Sequence, residues 1–204
     1  MVFPSPRDDR DPCITGASTL TSSPASSEPT PADDGPIAAL RGSLDELART
    51  IESLSDDAYA VDPAPGFSSG VGPHVRHCLD HVSALLAAAD ADAEIDYDGR
   101  KRGTPEETSR SAGLARIARM REGLPVLEAV LDRDCAIRVV VTPDAPARRI
   151  ESTWTRETLY VFQHTVHHLA LLSAIVRSLG VDLDSEIGRA PSTRADDRYR
   201  ECAR

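Results

Sequence analysis

The sequence predicts an all-α protein, an antiparallel four-helix bundle with a small hairpin-like insert before its last helix. Four segments repeat apolar residues at spacings of three and four, the period of an amphipathic helix. Two short segments rich in β-branched residues stand between the third and the fourth of these. The length of 204 residues suits one domain with tails, and a bundle is the simplest fold that buries four such apolar faces.

The two ends of the chain differ in composition from its middle. Residues 1–35 are rich in Ser, Pro, Thr and Asp, as in TLTSSPASSEPTPADDGP, and bury too little apolar surface to offset chain entropy. We therefore predict a disordered tail over 1–35 and the bundle domain over 36–192. Residues 193–204 are predicted to form a C-terminal tail, with the stretch that begins near residue 190 able to dock on the core.

The first two helices have the most regular apolar patterns. The first follows Gly35-Pro36, with proline near the first turn. Its core stripe consists of Ile37, Leu40, Leu44, Leu47, Ile51 and Leu54. The second is predicted from about Pro73 to Ala89. Its apolar face consists of Val75, Cys78, Leu79, Val82, Leu85 and Leu86.

The second half of the chain contains two further helices and the insert. A third helix is predicted over about 105–131, with Pro125 as a site for a kink. CAIRVVVT and RRIESTW indicate two short strands, separated by the turn-like spacer PDAPA. The fourth helix is predicted from Thr155, a good N-cap residue, to about Leu179, just before Gly180.

Composition argues against several classes of function. The net charge of -10 and the pI of about 5.0 give no basic excess to favour nucleic acid or anionic membranes. No apolar run reaches the roughly 18 residues of a membrane span, and MVFPSPRDDRDPC lacks an apolar signal region, so a cytoplasmic protein is expected. The four cysteines are scattered without a CxxC pair, which argues against a disulfide scaffold or a zinc knuckle.

The histidines are the most informative residues for function. All six lie in two short clusters, GPHVRHCLDHV and FQHTVHHLA, and both clusters fall within predicted helices. Imidazole is the commonest metal-ligating side chain, and its neutral form brings a lone pair without a charge. Two helices that each present histidines inward can build a three-nitrogen site with open positions. The clusters are His74, His77 and His81, and then His164, His167 and His168.

Periodicity ranks these candidates only in part. His164 and His168 stand one turn apart on the core line of the fourth helix, where a buried imidazole must find a partner. His167 lies about 100 degrees away from that line and is the weakest candidate on its helix. On the second helix, His77 and His81 share one face, so spacing alone leaves open which of them is the ligand. His74 lies at the edge of that face and is a further alternate.

With both clusters in view, the chain resembles the DinB-like family of small bundle proteins. The segment VGPHVRHCLDHVSALL is similar to the family's stretch in which a glycine turn precedes the first metal ligand, which matches His77. HTVHH resembles the family's HxxxH pair on the last helix and matches His164 and His168. IDYDGRKRG and IGRAPST are similar to a subgroup of this family. The resemblance extends over about residues 36–192.

The resemblance implies a divalent ion, zinc, nickel or iron, held by His77, His164 and His168, with His81 and His74 as alternates. It also implies a metal-dependent enzyme of thiol S-transferase or hydrolase type. The expected partners are a small-molecule substrate, such as a low-molecular-weight thiol, and a second copy of the chain in a homodimer. The alternative is a non-catalytic metal-binding or stress-associated interaction protein.

Other polar residues are candidates for the same site. Asp96, Asp98 and Arg100 crowd one loop, where they are either a solvated connection or the lining of a substrate pocket. Glu157, in the first turn of the fourth helix, is a candidate for orienting an imidazole or acting as a general base. A carboxylate there also favours the helix dipole, which is an equally good explanation. Cys78 falls on the apolar face and is predicted to belong to the core.

Overall fold

The computed structural model describes residues 35–63 and 66–203. Residues 1–34 of the predicted N-terminal tail lie outside the described residues. The described part contains six α-helices, two 3-10 helices and three β-strands. In chain order these are α1 Pro36–Glu52, α2 Asp56–Ala60, α3 Val71–Ala91, β1 Ile95–Asp96, the 3-10 helix Pro105–Glu107, α4 Arg110–Gly123, the 3-10 helix Leu124–Ala129, β2 Asp134–Val139, β3 Arg148–Thr153, α5 Trp154–Ser178 and α6 Pro191–Cys202.

The predicted all-α four-helix bundle is wrong, because the protein has a mixed fold with a three-stranded sheet. The sheet has the strand order β1-β2-β3. The two predicted strands are present as the antiparallel pair β2 and β3, in the register Asp134↔Thr153. The sequence did not reveal β1, which pairs in parallel with β2 through Ile95↔Ile137. A strand of two residues is too short to show an alternating pattern.

Four longer helices, α1, α3, α4 and α5, pack against one another around the main core. Two of them begin at side-chain caps. The hydroxyl of Thr153 accepts a hydrogen bond from the backbone amide of Arg156 at the start of α5. Ser109 accepts one from the amide of Ala112 at the start of α4. The long third helix predicted from the sequence is therefore divided into a 3-10 turn, α4 and a second 3-10 segment that contains Pro125.

Two short helices were not predicted. Ser55 caps α2 by accepting a hydrogen bond from the amide of Ala58. Helix α6 covers most of the stretch from residue 193 that the sequence assigned to a C-terminal tail, and it buries no residue. An ion pair of 2.6 Å between Arg194 and Glu46 connects α6 to α1.

Helix α5 runs through the centre of the fold and contacts both α1 and α3. Within the described residues it is the one helix long and apolar enough to cross a membrane by composition, with a hydropathy of 1.3. Val161, Leu169, Leu172 and Val176 on this helix are fully buried in the protein core, which accounts for its apolar content. The cytoplasmic location predicted from the sequence stays a prediction.

The contact between α3 and the 3-10 helix Pro105–Glu107 leaves no room for a side chain at Gly72. A methyl group added there would overlap the backbone carbonyl of Glu107. Gly42 on α1 is a matched position, because it is helical and no atom lies within 4 Å of an added methyl group.

We expect Gly72→Ala to lower the free energy of unfolding by about 1–3 kcal/mol, since backbone atoms must move to accept the methyl group. Gly42→Ala should raise it by about 0.5–1 kcal/mol through helix propensity. Urea unfolding of both variants measures the two effects. Equal stability of Gly72→Ala and the unmodified protein would contradict the close approach of these elements.

Candidate metal centre

Three imidazoles from α3 and α5 form a compact group. One ring nitrogen from each of His77, His81 and His164 lies within 4.8 Å of the other two. The Nε2 atoms of His77 and His164 are 3.1 Å apart. Two nitrogens on one tetrahedral zinc ion, each about 2.0–2.1 Å from it, are separated by about 3.3 Å. The group can therefore hold a metal ion after small movements of the rings.

His81 is held in the ring orientation and tautomer that a ligand requires. Its Nδ1 lies 3.0 Å from the backbone carbonyl oxygen of His77, one turn earlier on α3. Because a carbonyl oxygen only accepts, Nδ1 carries the proton and donates it. The lone pair of the neutral ring then lies on Nε2. This is the usual way in which a hydrogen bond fixes a metal-binding imidazole.

His77 has the opposite tautomer. Nη1 of Arg100 lies 2.6 Å from His77 Nδ1. A guanidinium only donates, so Nδ1 of His77 must accept and its proton must lie on Nε2. That proton is donated to the lone pair on Nε2 of His164, at the 3.1 Å separation. Arg100, His77 and His164 are therefore linked by two hydrogen bonds, in which both ring nitrogens of His77 have a partner.

The remaining histidines surround this group. His168 is buried, and its Nδ1 lies 3.2 Å from Nδ1 of His74. Its ring centroid is 4.7 Å from that of His77 and 4.6 Å from that of His164. His167 is exposed, on a different face of α5 from His164.

The structure thus brings together two predicted ligands, His77 and His164, with the alternate His81. The third predicted ligand, His168, adjoins them and is paired with the other alternate, His74. Sequence spacing left the choice on α3 open, and here both His77 and His81 contribute. The prediction of a histidine group able to hold a metal ion is confirmed. The identity of the ion stays a prediction.

Burial keeps these imidazoles neutral. It lowers the pKa of His77 to about 3, and the neighbouring His81 and His168 lower it further. Burial, with repulsion from His81, lowers the pKa of His164 to about 4. Burial, with repulsion from His164, lowers the pKa of His168 to about 3. Burial also lowers the pKa of His74. Neutral rings retain the lone pairs that metal ligation requires.

Glu157, the candidate catalytic carboxylate, is fully buried and contacts none of the imidazoles directly. Its Oε2 accepts a hydrogen bond of 3.0 Å from the Tyr97 hydroxyl, and its Oε1 accepts from Ser152 and from Arg156 at 2.7 Å. The ring of Tyr97 stacks on that of His81 with the centroids 5.2 Å apart. Burial and the Glu157 charge raise the pKa of Tyr97, so its hydroxyl stays protonated. Glu157 therefore acts on the site through Tyr97, which the sequence did not indicate.

A cavity of about 310 Å³ lies next to residues that contact the imidazoles, although none of the histidines lines it. Asp96 and Arg100, two of the three predicted pocket residues, line it, together with Tyr97. The third, Asp98, does not line this cavity, and its carboxylate accepts a hydrogen bond from the backbone amide of Val140. Since Arg100 and Tyr97 each contact both the cavity and a histidine, the cavity and the histidine group share a wall.

Three other lining residues, Asp80, Glu106 and Arg116, belong to a network of charges between α3, α4 and the Pro105–Glu107 turn. Arg76 binds Asp80 at 2.6 Å and Glu107 at 2.7 Å. Arg116 binds Asp80 at 2.9 Å and Glu106 at 3.1 Å. Sequence alone did not indicate this network, because charged residues on a helix usually face solvent. Burial makes removal of any one member costly.

Comparison with known proteins gives little information about identity. No family model matches the chain, and no solved structure matches it. The chain is 29% identical over 115 residues to FK506-binding protein 5 of Rhizopus delemar, a match that covers 55% of this chain and 30% of that protein. The chain therefore spans less than a third of that protein's length, and the match does not show a family. The DinB-like resemblance stays a prediction.

The lowered pKa values predict that the metal-free protein loses stability in mild acid. The unfolded chain binds protons on its histidines below about pH 6.5, whereas folded His77, His164 and His168 resist protonation until about pH 3 to 4. Their contribution to the free energy of unfolding is fully present above pH 6.5 and is lost as the pH falls. We expect the melting temperature in chelator to fall between pH 7 and pH 5.

His164→Gln should reduce this pH dependence, because one half-buried imidazole with a lowered pKa is removed. His167→Gln is the control on the same helix and should change the slope less, since His167 is exposed and acts on His164 and His168 only through its charge. Thermal unfolding at several pH values measures the three slopes. Identical slopes for His164→Gln and the unmodified protein would rule out the buried neutral state of His164.

Proposed function

We propose that this protein is a metal-dependent enzyme that binds a divalent cation through His77, His81 and His164 and acts on a small molecule in the adjoining cavity. The observation that carries the proposal is the shared wall between the histidine group and the cavity of about 310 Å³. A purely structural metal site needs no neighbouring cavity, whereas an enzyme needs space for a substrate near the ion. Here Arg100 and Tyr97 separate the cavity from the histidines, so a movement of Arg100 would open the cavity to the ion.

The donor set fits an ion that remains reactive. Three neutral imidazoles leave a divalent ion its full charge and leave at least one coordination position for another group. When bound, the ion supplies Lewis acidity, which lowers the pKa of water or of a thiol so that it is a nucleophile near neutral pH. Nitrogen ligands of this kind suit zinc, nickel and iron, the three ions that the DinB-like resemblance implies.

The surrounding residues hold the ligands in place. The carbonyl oxygen of His77 fixes the tautomer of His81, and the Tyr97 ring supports its face. Glu157 in turn holds the Tyr97 hydroxyl. Such supporting contacts typically change metal affinity or activity by about 10–100-fold when removed. Glu157 is in this proposal a positioning residue and not the general base.

The reaction class proposed is thiol S-transfer to a small electrophile, with hydrolysis as the second choice. Both reactions use a nucleophile made available at neutral pH. The DinB-like resemblance supports this class, because its two histidine segments supply His77 and His164. A low-molecular-weight thiol is the proposed co-substrate, and a homodimer remains a prediction.

One observation favours the non-catalytic alternative. The His168 ring lies 4.7 Å from that of His77 and 4.6 Å from that of His164, close enough to supply a fourth nitrogen after a rotation. Four protein ligands would close the shell, as in structural zinc sites. The ion would then only connect α3 and α5.

Replacing the ligands tests the metal site. We expect His77→Gln, His81→Gln and His164→Gln each to lower zinc affinity by at least about tenfold, because each removes one coordinating nitrogen. His167→Gln should leave the affinity unchanged, and His168→Gln should lower it much less than the other three. Competitive zinc titration measures the affinities. A loss at His168 with none at His81 would instead favour the triad of His77, His164 and His168.

Turnover tests the enzymatic function. The protein loaded with zinc, nickel or iron should transfer 2-mercaptoethanol to a small alkyl halide or hydrolyse a small ester. We expect the protein loaded with the activating metal to lose this activity on chelation and to regain it when that metal is added back. His164→Gln should lack the activity. Tight metal binding with four protein nitrogens by X-ray absorption, and without either reaction, would support the structural alternative.

A further inference from the structure

We infer that the cavity takes an anionic small molecule whose carboxylate or phosphate group is bound by Arg100, and that metal binding releases Arg100 from His77 for this role. The inference rests on the proposed metal site and names the class of substrate. It is carried by the charges around the cavity and by the tautomer of His77.

The first observation is that the cations at the cavity entrance have no anionic partner. Arg100 and Lys101 line the cavity, and within the described residues no carboxylate lies in ion-pair range of either. The one hydrogen-bond partner of the Arg100 guanidinium among the described residues is the neutral ring of His77. By contrast, Arg76 and Arg116 each bind two carboxylates. A guanidinium is best matched by two oxygens of an anion, which His77 does not offer.

The second observation is that the acidic residues of the cavity are already neutralised or engaged. Asp80 pairs with Arg76 and Arg116, and Glu106 pairs with Arg116. One carboxylate oxygen of Asp96 accepts hydrogen bonds of 2.9 Å from the backbone amides of Asp98 and Gly99, which shape the loop. Among the lining residues, the two cations without an ion-pair partner, Arg100 and Lys101, outnumber the one carboxylate without a cationic partner, Asp96, so the cavity favours an anionic ligand.

The third observation is that a metal ion and Arg100 compete for His77. A neutral imidazole has one N–H and one lone pair. Arg100 occupies the lone pair on Nδ1, which leaves the proton on Nε2, the nitrogen that faces His164. Ligation through Nε2 requires that proton to exchange through solvent to Nδ1. The resulting N–H would then face the N–H of Arg100, so the guanidinium must leave.

Arg100 is free to make this movement. It is exposed, and it lies on a loop bounded by Gly99 and Gly103, the latter with φ +71. Since the side chain already lines the cavity, a rotation away from His77 keeps it beside the ligand space. Metal and anion then each favour the same position of Arg100, so each raises the affinity for the other.

Two small thiols form a matched pair of probes. Mercaptoacetate and 2-mercaptoethanol offer the same thiol to the ion, and the first adds a carboxylate for Arg100. We expect the zinc-loaded full chain to bind mercaptoacetate about tenfold tighter than 2-mercaptoethanol, a usual size for one charge-assisted hydrogen-bonded pair. Competition by acetate and by inorganic phosphate distinguishes a carboxylate site from a phosphate site.

Arg100→Gln should abolish the preference for mercaptoacetate, and Arg100→Lys should restore part of it. Arg102→Gln is the matched control, because Arg102 lies on the same loop and does not line the cavity. In the absence of thiol, Arg100→Gln should also bind zinc several-fold tighter than the unmodified protein, since no guanidinium must be displaced. Calorimetric titration measures both quantities, and melting temperatures establish that the variants are folded.

The outcomes separate this inference from the proposed function. If the unmodified protein binds none of zinc, nickel and iron, both are overturned. If it binds zinc but Arg100→Gln keeps the preference for mercaptoacetate, only the anion site is overturned. If Arg100→Gln loses the preference but binds zinc no tighter, the anion site is supported and the release of Arg100 is overturned.

Discussion

The need of buried imidazoles for partners is the constraint on which the rest of this structure depends. Helices α3 and α5 meet through His77, His81, His164 and His168 where apolar side chains would otherwise pack. A buried imidazole without a partner destabilises the protein by about 1–3 kcal/mol. The rings avoid this by binding one another, a helix carbonyl and Arg100. The same arrangement keeps them neutral and leaves the lone pairs of His81 and His164 on Nε2, whereas the lone pair of His77 faces Arg100.

The small sheet explains both the error in the predicted fold and the site residue that sequence reasoning missed. Pairing of β1 with β2 places Tyr97, the residue directly after β1, against His81 and Glu157. Ser152, from β3, binds the same carboxylate. The sheet is thus the support of the histidine group, and not an insert beside a helical bundle. A two-residue strand has no recognisable period, so neither β1 nor the role of Tyr97 could be read from the sequence.

Much of the helical part could be predicted, because α1, α3 and α5 each have a regular apolar face. The inward direction of His164 followed from its place on the line of Val161 and Ile175, both buried. Spacing did not show that His77 and His81 act together, since one turn separates them and either can face α5. Whether both rings reach the same group depends on how closely α3 and α5 approach each other. The ion network of Arg76 and Arg116 was missed because it links segments that only the fold brings together.

The overall charge and the local charge of this protein favour different ligands. A net charge of -10 disfavours large polyanions, which meet the whole surface. A small anion in the cavity is affected mainly by charges within about 8–10 Å, because salt screens the more distant ones. Among the residues that line the cavity, Arg100 and Lys101 are the cations without an ion-pair partner, against one such carboxylate, Asp96. A protein with an acidic surface overall can therefore still bind a small anion, and in the proposed site the selectivity would come from the loop that contains Arg100 and Lys101.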